Sequence, residues 1–257
     1  DTRKGLAGRS HIRASTDPMA TLREKSSYTS SRTVAVSIIA LGRFSVLALT
    51  IALSAILSRV LEKHEYGTFR QVLYVYLMMA VVFEAGLPKA TAYFLPKVSL
   101  AQGKQILLRI LGFLFLSGTV FSLVLYWTAE TAGGLLRNPD LPHLLRAYAP
   151  MPVLVLPTLA MEGVCMTHGR PGIVAAFHVV TKLAALIAVC VPVLLGHSMA
   201  IGLRMWVLVS VPILLLATAI MLAPYRRCEH DACLYPFRQV VSFGLPLVGA
   251  SLVGTFL

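Results

Sequence analysis

Arg43, Glu84, Glu162, His178 and Lys182 are ionisable side chains inside long apolar stretches. A charge held in hydrocarbon is costly unless it is paired or hydrated, so each needs an explanation. Arg43 lies ten residues into the first stretch and Lys182 nine into the fifth. At 1.5 Å per residue both are expected ~14–15 Å deep, near mid-membrane. Two cations at similar depth suit an anion. The competing reading is structural: the cations snorkel to the interface, or Lys182 pairs with Glu162 across the fourth and fifth stretches. Glu84 is within a turn of its stretch's end and is expected at the interface, and His178 is either packing or a proton-coupling group.

Cys228, His230 and Cys233 fall together in the loop RRCEHDAC. Zinc takes four ligands, or three and a water, and this C-x-H-x-x-C spacing is not a standard finger. The loop is therefore expected to be a basic linker, with neither metal nor cofactor. Cys165 and Cys190 lie inside apolar stretches, so the four cysteines make no disulfide scaffold. Every loop after the first stretch is short and the chain holds only 11 acids, so no catalytic constellation forms and an enzyme is not expected.

The elements that must position these groups follow from composition. The chain is 57% hydrophobic and 13% charged, with a mean hydropathy of +0.76. Soluble domains carry about a quarter charged residues. The apolar residues fall in blocks near 33–57, 69–87, 106–127, 147–166, 173–195 and 205–223, with a last one from 240 onward. Each complete block is long enough to cross a ~30 Å hydrocarbon layer as a helix. None alternates in polarity as a spanning strand would, so helices remain. The fold expected is all-α, a polytopic membrane helix bundle of about six transmembrane helices with the start of a seventh. The fourth block, with Pro150, Pro152 and Pro157, is expected to be kinked.

A basic tail at 1–32, rich in Ser, Thr, Arg and Lys, is expected to be unstructured and cytoplasmic. A six-helix lobe at 33–223, a basic cytoplasmic linker at 224–239 and the seventh helix at 240–257 follow. With the tail inside, fifteen Lys and Arg fall on the cytoplasmic side and six, Arg70 and Arg204 among them, on the other. The formal net charge of +12 is thus read as topology, since no basic face or nucleic-acid motif accompanies it. The first eighteen residues hold no apolar run and are not a signal peptide, so Met19 is a candidate start. The last block has no polar end by Leu257, so the chain is expected to be a fragment.

Four segments recur in a telling order: the EYG-F turn at Glu65 to Phe69, the acidic-x-G-L of Glu84 to Leu87, the F-L-P of Phe94 to Pro96, and the F-G-L-P-L of Phe243 to Leu247. Together they resemble polysaccharide flippases of the O-antigen type, in the multidrug/oligosaccharidyl-lipid/polysaccharide exporter superfamily. The resemblance spans 37–257 and rests on order and spacing rather than on any one motif. It implies two facing six-helix lobes, of which this is the first plus the start of the second, in the cytoplasmic (inner) membrane. It further implies a transporter that moves a lipid-linked oligosaccharide, a polyprenyl-diphosphate glycan, for polysaccharide or lipopolysaccharide synthesis, with room for proton or sodium coupling. Arg43 and Lys182 would then line its cavity. The alternatives are a drug or ion exporter of the same superfamily, whose cavity would be acidic for cationic drugs, and a membrane-embedded glycan-processing enzyme.

Overall fold

The computed structural model describes residues 18–84 and 86–226. The chain divides into two units, Asp1–Ser37 and Ile38–Leu257. In the first, the backbone is helical from Pro18, where α1 (Pro18–Val60) opens. The tail expected to be unstructured as far as Arg32 is therefore helical over its second half. Proline suits the first helical position, where its missing N–H would have no partner anyway. Most of the linker and the start of the seventh helix, with Cys228, His230 and Cys233, lie outside the described residues.

The second unit continues through α2 (Lys63–Phe83), α3 (Leu87–Phe94), α4 (Leu100–Trp127), α5 (Ala129–Leu135), α6 (Leu141–Tyr148), α7 (Met151–Val155), α8 (Ala160–Thr167), α9 (Pro171–Leu194) and α10 (Met199–Leu222). Short 3-10 turns stand at Leu95–Lys97, Leu156–Leu159 and Ala223–Tyr225. No strand occurs among the described residues. Six segments are long and apolar enough to cross a membrane: Ala40–Val60, Lys63–Phe83, Leu100–Trp127, Leu141–Thr167, Pro171–Leu194 and Met199–Tyr225. The protein is thus an all-α, multi-pass membrane protein, as expected.

In each span, helix begins earlier than the apolar block. Only Leu61 and Glu62 separate α1 from α2, so Tyr66 and Gly67 sit inside the first turns of a helix rather than in a loop. Glycine there costs about 1 kcal/mol against alanine, less than the backbone bonds that continuing the helix secures. α4 starts at Leu100, with the Ser99 hydroxyl accepting from the Gln102 N–H at 3.4 Å, and α10 starts at Met199. Arg204 consequently stands on a helix, not in a loop, and Arg70 lies two turns into α2 rather than at its start.

The fourth span is broken into α6, α7, a 3-10 turn and α8, because Pro150, Pro152 and Pro157 each remove a backbone donor and clash with the preceding turn. Close neighbours hold the pieces. A Cβ on Gly118 of α4 would lie 2.9 Å from the Pro152 carbonyl oxygen, and one on Gly163 of α8 would collide with Thr91 of α3. Between α2 and α3, Gly86 takes φ +64, the left-handed conformation that reverses the chain direction without a Cβ penalty. Ser117 of α4 donates to the Phe83 carbonyl at 2.6 Å and so satisfies an acceptor at the end of α2.

The core sits among α2, α4 and the fourth span. Leu107, Ile110 and Leu114, at helical spacing on α4, are fully buried. Tyr76 and Phe83 of α2 both stack on Phe121 of α4, at 5.4 and 4.7 Å between ring centres, and Tyr148 of α6 meets Tyr76 edge-on at 5.3 Å. At the other end of α2, buried Asn138 donates from Nδ2 to Thr68 Oγ1 at 2.8 Å and to Gln71 Oε1 at 2.6 Å. That pins the α5–α6 connection to α2.

Candidate functional site

Helical periodicity brings the polar residues of several spans to one place. On α2, Arg70, Tyr74 and Leu77 follow one another at i, i+4 and i+7, and on α9 His178, Lys182 and Ala185 do the same. Both rows line a cavity of about 680 Å³, which Thr50 of α1, Tyr148 and Thr158 of the fourth span and Trp206 of α10 line as well. The volume lies within the usual range of small-molecule sites. Among the described residues, Arg70 and Lys182 are the cations that line it, and no carboxylate does. Tyr148 and Trp206, with ring centres 5.4 Å apart, supply an aromatic wall.

A second cavity of about 260 Å³ adjoins it, lined by Gly42, Arg43, Glu162 and His178 among others. Here α1 and α9 touch through small residues: a Cβ on Gly42 would stand 2.7 Å from that of Ala175. This approach sets Arg43 beside α8, where its guanidinium lies 3.6 Å from the Glu162 carboxylate. His178 lines both cavities and joins them.

Of the residues singled out from sequence, Arg43, Glu162 and His178 therefore meet at the smaller cavity and Lys182 faces the larger one. The pairing of Lys182 with Glu162 is not formed; the partner of Glu162 is Arg43, because the Gly42–Ala175 contact brings α1 within reach of α8. Glu84 caps the far end of α2, half-buried, and lines neither cavity. Sequence reasoning missed Arg70 and the aromatic wall. The charge count sets Arg70, the second residue of its apolar block, on the external side; periodicity with Tyr74 and Leu77 was the available signal. Among the described residues no cluster of His, Cys, Asp and Glu is arranged to hold a metal.

The model of the family described as "Polysaccharide biosynthesis protein" matches residues 33–257. The chain belongs to the polysaccharide biosynthesis protein family. No curated protein matches it significantly. Among solved structures, this family member is similar to a MOP superfamily transporter from Pyrococcus furiosus, described as having a binding pocket of reverse polarity. The TM-score is 0.68 at 12% identity, over 85% of this chain and 50% of that one. It is also similar to the Vibrio cholerae MATE transporter VcmN, with a TM-score of 0.66 at 16% identity, over 89% of this chain and 55% of that one. At such identities the likeness establishes the fold. The polysaccharide biosynthesis chain spans about half the length of the transporters it matches.

Proposed function

We propose that this chain forms one lobe of a two-lobe membrane transporter that moves an anionic, lipid-linked oligosaccharide across the cytoplasmic membrane, with the N-terminus on the cytoplasmic side. The observation that carries this reading is the pairing, in one cavity, of Arg70 and Lys182 with the Tyr148–Trp206 wall. The cations suit a diphosphate, and guanidinium and ammonium provide different geometries for it. The amphipathic rings suit sugars, which present an apolar C–H face and a hydroxylated rim. The family match supports a role in polysaccharide synthesis, and the fold likeness to transporters supports movement rather than covalent chemistry.

Arg43, Glu162 and His178 would then form an adjoining group in which the ion pair exchanges partners as anionic substrate arrives, and His178 is the candidate for proton coupling. The cytoplasmic placement of the N-terminus rests on the excess of Lys and Arg on that side. An exporter of cationic drugs is disfavoured by a large cavity lined, among the described residues, by two cations and no carboxylate.

The test is binding by the full-length protein. A polyprenyl diphosphate should bind roughly 10–100-fold more tightly than the corresponding uncharged polyprenol, the range that one charge-assisted hydrogen bond supplies. Arg70→Ala should remove most of that difference. Equal binding of the two lipids would reject the anion site.

A further inference from the structure

We propose that the face of the lobe formed by α4, α6 and α10 binds the phosphate headgroup of an anionic glycerophospholipid. A cavity of about 560 Å³ opens there, lined by Tyr126, His143, Arg146, Arg204 and Leu208 among others. It is separate from the transport cavity and stands on its own observations.

Two residue pairs place it on the opposite side of the wall. Tyr148 and Trp206 face the large cavity, while Arg146 and Arg204, each two positions earlier on the same helices, line this one. Two positions along a helix turn a side chain about 200°, so one wall shows aromatics to the inside and cations to the outside. Arg146 is held by Glu130 at 2.7 Å and lies over the Tyr126 ring at 5.6 Å. Arg204 is exposed and has no ion pair among the described residues, which leaves one uncompensated positive charge.

Below Arg204, one stripe of α10 runs Leu208, Val211 and Leu215, at i+4, i+7 and i+11, and all three are exposed. A basic head above an apolar stripe matches a lipid, phosphate at the top and acyl chain beneath, better than a soluble anion. Tyr126 and Trp127, both exposed at the end of α4, mark the same level as interfacial, where aromatic rings with polar atoms collect. His143 adds a ring N–H for a phosphate oxygen.

Trp127 provides the readout. These 257 residues contain two tryptophans, so Trp206→Phe, with any tryptophan beyond them replaced by Phe, leaves Trp127 as the sole emitter beside the site. In vesicles holding the full chain, brominated phosphatidylglycerol should quench Trp127 with a roughly five-fold preference over brominated phosphatidylcholine, the selectivity of one basic group at an anionic surface. Arg204→Ala and Arg204→Gln should both abolish the preference, Arg204→Lys should keep most of it, and excess inorganic phosphate should leave it unchanged. Equal quenching by the two lipids, or a preference that survives Arg204→Gln, overturns the proposal. Loss of the preference to inorganic phosphate would overturn it too, since the site would then take a free anion. Arg204 is exposed, so its variants should insert normally, and helical circular dichroism checks this.

Discussion

The Arg43 guanidinium and the Glu162 carboxylate lie 3.6 Å apart, tying the first span to the broken fourth across a small cavity that His178 also lines. Both side chains are substantially exposed, at 77% and 47%. Arg43 stands inside a membrane span, where a charge needs a partner or water, so the ion pair and the cavity beside it account for each other.

A double-mutant cycle separates this pair from the one that sequence suggested. Arg43→Ala and Glu162→Ala should be non-additive in transport, the double variant resembling the worse single one. Lys182→Ala with Glu162→Ala should combine additively, because the structure gives them no contact. Non-additivity for Lys182 with Glu162, and none for Arg43, would contradict the Arg43–Glu162 contact.

Asn138 should matter for stability. It is buried, and its Nδ2 makes hydrogen bonds to Thr68 and Gln71. Asn138→Ala strands those acceptors and should cost about 1–3 kcal/mol, read as a lowered melting temperature of the purified protein. Pro139→Ala, next along the same exposed connection, should shift melting far less.

Much of this architecture was legible from residues alone, and what was missed has a common cause. Apolar blocks of bilayer length announce the spans, and Pro150, Pro152 and Pro157 announce the broken fourth. Polar first turns do not announce themselves: a hydropathy reading starts each helix where apolar residues begin. It thereby left Arg204 outside a helix whose backbone already encloses it, and put Arg70 at the edge of its stretch although α2 starts at Lys63. Ser99 before α4 and Ser198 before α10, residues suited to helix N-termini, were the local signal of the true starts. The cavity itself depends on how neighbouring helices are rotated. That rotation is set by contacts such as Gly42 with Ala175, which no pattern within a single helix encodes.

Topology can be read with reporter fusions. One after Lys97 should report cytoplasmic and one after Asp140 external, following the distribution of Lys and Arg. A cytoplasmic reporter at Asp140 would invert the lobe and place the Arg146–Arg204 face in the opposite leaflet.

The central claim is that the cavity of Arg70, Lys182, Tyr148 and Trp206 carries an anionic glycolipid, and flux tests it most directly. Full-length protein in vesicles should move a fluorescent polyprenyl-diphosphate oligosaccharide between leaflets. Arg70→Ala and Lys182→Ala should each lower the initial rate by roughly 10-fold or more at equal folded protein, as loss of a charge-assisted bond implies. Arg70→Lys should keep part of the rate, since the charge survives without the bidentate geometry. An undiminished rate in both alanine variants would contradict the account.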